Sequence, residues 1–376
     1  MKRIPIILFF LVLAPAASAQ RSIDEVLRQV ENASRELEAQ RQLTAAQKQD
    51  AATGKYMANP TVEMEKMWGA AGAGQNTELA VVQTIDFPTV YGSRNRIAKL
   101  KGSLYEKQWE SQRQQLLLQA KQLCIEIVYL YRQRDLLDER LSNAERLSEA
   151  YRRKMETGDA TSLEANKIAV ESISARTAAD LNRAELQAKI QQLNTMTGDS
   201  DDSFEDVTYP PVETLPPADV LSEAYMSGNP LLESMENTLE IDRRTVALNR
   251  GLSLPQFEIG YRHDYGEGRA TGFKVGMSVP LFENKNKVKA ARAQAASSSA
   301  QLESVRLNAA SELRQLYDQA VTLRESMRSM ESVLLAQNNL SMLNKALDAG
   351  QITVIEYITE IGVLYQSRQM QLQLER

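Results

Sequence analysis

Two short segments of the chain share one pattern: "METGDATSLEANK" (155–167) and "LDAGQITVIEYIT" (347–359). In each, a Thr stands three residues after a Gly, an aliphatic residue five after it and a Glu six after it. Gly is suited to the left-handed conformation that ends a helix. A Thr followed three residues later by Glu is the capping box that starts the next helix. Each segment therefore predicts a tight turn between two helices, and the two turns, at Gly158 and Gly350, lie 192 residues apart.

The repeated turn is part of a duplication of most of the chain. Offsets of about 191 to 195 residues relate three further pairs of segments. These pairs are "SIDEVLRQ" (22–29) with "PADVLSEA" (217–224), "NPTVEMEKMW" (59–68) with "LPQFEIGYRH" (254–263), and "TIDFPTVYGSRNRIAKLKG" (84–102) with "MSVPLFENKNKVKAARAQ" (277–294). The pattern predicts two structural repeats, 20–198 and 218–376, each running helix, strand, loop, strand, very long helix, turn and long helix. An acidic, proline-rich linker (199–217) joins them.

The long helix of each repeat carries a heptad pattern that is typical of coiled-coil packing. In the first repeat the apolar seam runs from Leu116 to Met155, and in the second it runs from Ala309 to Leu334. From Pro88 to Gly158 is 70 residues, as is Pro280 to Gly350, and each stretch would reach about 105 Å if helical throughout. The helices of one coiled coil need not match in length, whereas the helices that form the wall of one closed barrel must. About 40 residues follow Gly158 before Gly198, but only 26 follow Gly350, so either the chain is clipped or this region closes with less material.

Four segments of about ten residues alternate between apolar and polar side chains, as strands with two different faces do. Their predicted bounds are about 58–68, 77–87, 254–265 and 271–279. Ten residues suit a tilted membrane strand, although a half-buried soluble hairpin also alternates. Four strands are too few to close a membrane barrel, so the strands must be shared by an oligomer. Three copies supply twelve strands and leave no open edge.

The start of the chain and its composition indicate the compartment. Met1, Lys2 and Arg3 precede an apolar run (6–14) and small residues at 17–19, so residues 1–19 are predicted to be a signal peptide. Without them the chain has 42 basic and 49 acidic residues, which argues against nucleic acid as a partner. No later run of about 18 apolar residues predicts a transmembrane helix. The single cysteine, Cys124, excludes an internal disulfide, and its helical context predicts a buried thiol.

Residues that could support chemistry are few. One histidine, His263, excludes a His-based metal cluster and an ordinary catalytic triad, and we expect it in a loop or at a barrel rim. "GAAGAG" (69–74) lacks the strand–helix context of a nucleotide-binding loop. Trp68 and Tyr261, or alternatively Tyr265, are candidates for an aromatic girdle. We therefore predict no catalytic residue, no metal and no cofactor, and expect that the protein is not an enzyme.

Taken together, the doubled strand entries "NPTVEM" and "LPQFEIGY", the exits "DFP" and "SVPLF" and both Gly-x-x-Thr turns resemble the TolC family of outer-membrane efflux proteins. The resemblance covers nearly the whole chain after residue 19. It implies a homotrimer in the outer-membrane lipid, mostly α with a twelve-stranded membrane β-barrel that continues into a periplasmic α-helical barrel. It also implies a periplasmic adaptor protein and an inner-membrane pump as partners, and places the linker at the family's equatorial region.

The resemblance places the two turns at the periplasmic aperture. The predicted aperture residues are Gly158, Thr161, Glu164, Gly350, Thr353, Glu356, Thr359 and Glu360. The family has acidic residues six and nine positions past the second glycine; Glu356 matches the first, whereas Thr359, with Glu360 beside it, occupies the second. Glu356 either forms a cation-selective ring across three copies or only caps its helix, and both roles are compatible. Leu347 and Ile352 stand where some members have a Tyr and an Arg that close the tips.

Two other classes of protein remain as alternatives at this stage. A periplasmic adaptor would have one coiled-coil hairpin flanked by small β-domains, and a soluble periplasmic scaffold would not partition with membranes. The two hairpins with paired strands favour a passive efflux duct that its partners open. The transported substrate has no signature in the sequence.

Overall fold

The computed structural model describes residues 22–68, 75–198, 204, 208–210, 214–266, 269–334 and 339–376. The predicted signal peptide, most of the predicted linker (199–217) and the "GAAGAG" segment lie outside the described residues. In its described parts the chain divides into two compact units. One contains Met1–Ser34, Leu117–Val212 and Leu323–Arg376, and the other contains Arg35–Leu116 and Glu213–Thr322. Each unit therefore takes segments from both predicted repeats.

Each half has two helices, then two strands, then further helices, of which the structure describes two in the first half and three in the second. The helices are α1 (Ile23–Ala33), α2 (Arg35–Thr53), α3 (Pro88–Thr157), α4 (Ser162–Thr197), α5 (Ala218–Gly228), α6 (Pro230–Gly251), α7 (Lys287–Leu334), α8 (Asn339–Asp348) and α9 (Val354–Glu375). The strands are β1 (Thr61–Trp68), β2 (Gln75–Ile85), β3 (Gln256–Asp264) and β4 (Thr271–Ser278). Each strand begins and ends within three residues of its predicted bounds.

The two long helices begin differently. α3 starts directly at Pro88, where a missing N–H costs nothing because the first helical amides have no partner within the helix. α7 instead starts at Lys287, seven residues after Pro280, because the chain first makes turns that end with Asn286 at φ 68°. The segment 280–350 is therefore not helical at its beginning, since residues 280–286 precede α7. The first long helix alone, at 70 residues, has the full predicted extent.

The four strands form one antiparallel sheet in the order β1-β2-β3-β4. A single row of paired residues crosses all four strands: Val62, Val81, Tyr261 and Phe273. Because side chains alternate between faces, this row and its neighbours two residues away give the sheet one apolar face. That face is not covered within the unit, since Phe273 is 87% exposed and Met64 is 74% exposed.

The opposite face of the sheet is polar and charged. It carries Glu63, Glu65, Glu78, Glu258, Arg262, Asp264 and Lys274. Arg262 forms an ion pair with Glu78, and Asp264 accepts hydrogen bonds from Asn76 Nδ2 (3.1 Å) and from the Gly266 amide (3.0 Å). A sheet with one large exposed apolar face and one charged face is built to contact an apolar surface on one side and water on the other.

In the other unit, α3 packs against α4 and α9. The middle of its predicted heptad seam is buried, with Ala120, Ile127 and Leu130 at most 2% exposed, whereas Met155 at the end of the seam is 43% exposed. Ion pairs flank the seam along its length. They join Lys189 to Glu126 (2.9 Å), Arg140 to Glu171 (2.8 Å) and Arg132 to Glu375 (2.7 Å). Partly exposed pairs of this kind contribute little each, so the apolar seam supplies most of the stability.

The heptad seam of α7 differs, because two of its leucines are largely exposed within one chain. Leu316 is 56% exposed and Leu323 is 49% exposed. The predicted coiled-coil pattern is present in the sequence, but a single chain leaves it without a complete partner surface.

Two further predictions from the sequence concern the Cys124 thiol and transmembrane helices. Cys124 is buried, and burial raises the pKa of its thiol to about 12, so the thiol stays protonated and unreactive at neutral pH. Among the described helices, none combines the length and the apolar character that a bilayer-spanning helix needs.

Gly260 provides a test of the sheet, because a Cβ there would lie 2.7 Å from the carbonyl oxygen of Val81 on the neighbouring strand. We expect Gly260→Ala to destabilise the β2–β3 pairing by about 1–3 kcal/mol, since the clash is with backbone. The measurement is the thermal midpoint followed by circular dichroism. Gly272→Ala is the control, because nothing lies within 4 Å of its added Cβ. Equal midpoints for both variants would contradict the register.

Candidate functional site

The first turn of interest follows α3. Gly158 has φ 83°, and its amide donates to the carbonyl of Met155 (3.2 Å), while the amide of Asp159 donates to Lys154 (2.7 Å). This pair of bonds is the Schellman motif, which satisfies the last carbonyls of a helix. A residue with a Cβ is strained at this φ, so glycine is required by the backbone rather than by space.

The second turn repeats this geometry after α8. Gly350 has φ 69°, its amide donates to Leu347 (3.0 Å), and the amide of Gln351 donates to Ala346 (2.8 Å). The left-handed glycines inferred from the repeated segments are thus both present. The chain leaves both helices by the same hydrogen-bonding pattern.

The helices that follow also begin alike. At α4 the amide of Thr161 donates to Glu164 Oε2 (2.8 Å), and the amide of Glu164 donates to Thr161 Oγ1 (3.3 Å). At α9 the Thr353 amide to Glu356 Oε2 distance is 2.8 Å, and the return bond is 3.2 Å. Both capping boxes inferred from the sequence are therefore formed.

Both capping carboxylates are stabilised in the charged form. The hydrogen bond from the Thr161 backbone, followed by the one from its hydroxyl, lowers the pKa of Glu164. The same two bonds from Thr353 lower the pKa of Glu356. Each helix start therefore carries a full negative charge at neutral pH, next to the positive end of the helix dipole.

A shared apolar cluster lies beneath the two turns. Its buried members come from α3, α4, α8 and α9: Leu147, Tyr151, Ile168, Leu347, Val354, Tyr357, Ile361 and Tyr365. Leu347 and Ile352, which replace the closing residues of some TolC-family members, belong to this cluster or pack against it. They contribute apolar contact there and supply no polar side chain.

One polar network joins the two hairpins inside this cluster. Asn143 Nδ2 of α3 donates to the hydroxyl of Tyr357 (2.8 Å), which donates to Asn344 Oδ1 of α8 (2.7 Å). Arg146 then donates to both Asn143 Oδ1 (3.0 Å) and Asn344 Oδ1 (3.1 Å). Burial raises the pKa of Tyr357, so its hydroxyl remains a donor. Three helices are thus connected through one buried tyrosine.

This network was missed from the sequence. Asn143 lies 15 residues before Gly158, whereas Asn344 lies six before Gly350, so the duplication does not relate them. No local motif contains all four side chains. Tyr357, seven residues past Gly350, was the only available signal, since a tyrosine on the buried side of a helix start needs a polar partner.

The remaining predicted site residues lie near Glu356 on α9. Thr359 and Glu360 are exposed, and the Thr359 hydroxyl donates to the carbonyl of Ile355 (2.9 Å) within its own helix. His263 lies at the end of β3, where its ring makes an edge contact with Tyr265 (4.2 Å between centroids). Across the described residues, no three His, Cys, Asp or Glu side chains are arranged to hold a metal ion.

Part of the chain matches a known protein family. Residues 221–376, which make up nearly all of the second repeat, match the family described as "Outer membrane efflux protein". No curated protein sequence matches the chain. The resemblance to outer-membrane efflux proteins is confirmed, and this family comprises channels rather than enzymes. The description also agrees with the predicted outer-membrane location.

Solved structures share the fold over almost the whole chain. A structure of CusC has a TM-score of 0.76 at 15% identity, covering 94% of this chain and 88% of that one. A membrane protein from Pseudomonas aeruginosa gives 0.77 at 15%, covering 94% and 90%. The outer membrane protein VceC from Vibrio cholerae gives 0.77 at 12%, covering 94% and 92%. At these identities the likeness establishes the fold.

Alanine substitutions at the two turn glycines and at a glycine inside a helix should change the stability in opposite directions. Gly158→Ala or Gly350→Ala places a Cβ in the left-handed region at a cost of about 1–2 kcal/mol. Gly102→Ala, in the interior of α3 with nothing within 4 Å, should instead stabilise by about 0.5–1 kcal/mol. Hydrogen exchange measured at the amides of each turn should accelerate only in the first two variants. Unchanged exchange in those variants would contradict the assigned backbone.

The tyrosine network is tested by two matched substitutions. Tyr357→Phe removes the hydroxyl that accepts from Asn143 and donates to Asn344, so that only Arg146 still links the two amides, and we expect a loss of about 1–3 kcal/mol. Tyr365→Phe is the control, because the Tyr365 hydroxyl is buried in the same cluster and makes no hydrogen bond among the described residues. Thermal unfolding compares the two variants. Equal destabilisation would show that the Tyr357 network contributes nothing beyond packing.

Proposed function

We propose that this protein is the outer-membrane channel of a tripartite efflux system. In this proposal three copies join their sheets into a twelve-stranded barrel, and their long helices form a tube in the periplasm. One observation carries the proposal: an antiparallel four-stranded sheet has an uncovered apolar face, in a chain that folds as outer-membrane channels do. A sheet of this kind is satisfied in a bilayer only when its edges are closed.

The exposed leucines of α7 support the same assembly. Leu316 and Leu323 lie on an apolar seam that a single chain does not cover, and burying a leucine stabilises by about 1.5–3 kcal/mol. A second copy is the natural partner, because every copy has the same seam. The alternative of a periplasmic adaptor requires one hairpin, whereas this chain has α3 with α4 and α8 with α9.

The duct performs no chemistry in this proposal. The two hairpin turns are the periplasmic tips, and transport is driven by an inner-membrane pump through a periplasmic adaptor. Opening requires the hairpins of each copy to move apart. The Tyr357 network joins α3, α8 and α9 beneath the tips, so it opposes that movement until the adaptor docks.

The aperture role of the tip residues follows from their charge and position. Glu356 is ionised and lies in the first turn of α9, with Thr359 and Glu360 next along the helix. Three copies would place three Glu356 carboxylates around one axis, which favours cations over anions. Gly158, Thr161, Glu164, Gly350 and Thr353 shape the two turns that position this ring.

The assembly is tested with detergent-extracted full-length protein. Unheated protein should migrate as a trimer on a semi-native gel and convert to the monomer on boiling. The same preparation should produce discrete conductance steps in a planar bilayer. A protein that remains monomeric and soluble without detergent, or one that forms no channels, would refute the proposal.

The role of Glu356 is tested by Glu356→Gln, which removes the charge while glutamine still completes a capping box. We expect the ratio of cation to anion permeability to fall, with the thermal midpoint nearly unchanged. Glu164→Gln is the matched control, since Glu164 caps α4 in the same geometry. If both variants keep the wild-type permeability ratio, Glu356 acts only as a helix cap.

A further inference from the structure

Basic residues accumulate where the two strand pairs end and the long helices begin. After β2 they are Arg94, Arg96, Lys99 and Lys101, and after β4 they are Lys285, Lys287, Lys289 and Arg292. Residues 88–102 contain no Asp or Glu, and residues 277–294 contain only Glu283. The duplication therefore preserves a local excess of positive charge at the same place in both repeats. We call these eight residues the basic collar.

Most of the collar is not neutralised by the chain itself. Arg94 pairs with Asp86 (2.6 Å), and Lys287 pairs with Glu283 (3.5 Å). In the part of the chain that the structure describes, the other six make no ion pair. Five of those six are exposed: Arg96, Lys99, Lys285, Lys289 and Arg292. Charges left in this state are available to an external anion.

An apolar segment adjoins the collar. Leu281 is 73% exposed and Phe282 is 83% exposed, and they follow Met277 and Val279, which are also exposed. The carbonyl of Phe282 accepts a hydrogen bond from the amide of Lys285 (3.2 Å), so a tight turn of the backbone joins the apolar pair to the first lysine. The apolar surface of β4 is thus continuous with a bulky apolar pair that ends at basic residues.

We propose that the basic collar binds anionic phospholipid headgroups in the leaflet that faces the periplasm. This inference rests on the proposed function, which puts the apolar face of the sheet in hydrocarbon. The headgroup layer then begins where the strands end, and it is about 5–8 Å thick on each side. Arg292 lies five residues into α7, about 8 Å along the helix, and its long side chain can reach back toward the bilayer.

The chemistry favours a lipid over a soluble phosphate. A free phosphate would be matched by the collar's charges alone and would leave Leu281 and Phe282 in water. A phospholipid supplies both parts, a phosphate for Lys285, Lys289 and Arg292 and acyl chain for the apolar pair. Basic side chains beside a bilayer select lipids with net negative charge over zwitterionic ones.

The test uses the full-length protein in bilayer discs that contain equal amounts of phosphatidylglycerol and phosphatidylcholine. After gentle detergent extraction, the lipids retained by the protein are counted by mass spectrometry. Wild-type protein should retain phosphatidylglycerol in excess by about threefold or more. The variant Lys285→Gln/Lys289→Gln/Arg292→Gln should lose most of that excess. Arg314→Gln/Arg324→Gln/Arg328→Gln, which removes three charges further along α7, should keep it.

Several outcomes would overturn the assignment. These are no enrichment in wild-type protein, equal retention by the collar and control variants, or release by inorganic phosphate but not by chloride at the same ionic strength. Lys285→Arg/Lys289→Arg/Arg292→Lys preserves charge and should preserve enrichment, so a conducting trimer of this variant without enrichment would also overturn the assignment. Conductance and gel mobility are measured in parallel. A wild-type trimer that conducts but shows no enrichment would refute lipid binding by the collar and leave the proposed channel function intact. A wild-type protein that forms no trimer would refute the proposed channel function itself.

Discussion

The constraint on which this structure depends is that a backbone N–H or C=O inside a bilayer must have a protein partner, because hydrocarbon offers none. β2 and β3 are paired on both sides, but β1 and β4 are the edges of the sheet. One face of that sheet is apolar and exposed, which is unfavourable in water. Its two open edges carry unpaired backbone N–H and C=O groups, which are unfavourable in lipid. Joining β1 of one copy to β4 of the next resolves both problems at once. Strand count and face polarity therefore both favour the closed oligomer proposed above, and the uncovered leucines of α7 point the same way.

The region around the two turns combines two opposed requirements. The Schellman turns and capping boxes fix the ends of four helices with nearly identical geometry, so each hairpin has a rigid end. The hairpins are held to each other differently, by a shared apolar cluster, by the network through Tyr357 and by the ion pairs Arg132–Glu375 and Arg368–Glu139. Rigid elements joined by few polar contacts are suited to a two-state rearrangement. In the proposed channel, Tyr357 would take the place of the polar closing residues that Leu347 and Ile352 do not provide.

The features that local chemistry determines were predictable from sequence. Gly158, Gly350 and both Thr–Glu boxes follow from residue type at fixed spacing, and the strand faces follow from alternation. The late start of α7 was not predicted, because the turn at Asn286 needs a left-handed asparagine that the sequence does not distinguish from any other. The Tyr357 network was not predicted either, since its members come from three helices and the duplication does not align them. The collar's charges were visible in the sequence, but their lack of partners becomes apparent only from the folded geometry.

The most direct measurement of the central claim is covalent capture of the β1–β4 junction between copies. In a Cys124→Ser background, a cysteine at Glu63 on the polar face of β1 is combined in turn with one at Gly272, Lys274, Gly276 or Ser278 on β4. Mild oxidation of the protein in membranes should give, for at least one pair, a ladder of cross-linked species that ends at three chains. A disulfide formed only within single chains, a ladder that continues beyond three, or no cross-link from any pair in folded protein would contradict the threefold closed sheet.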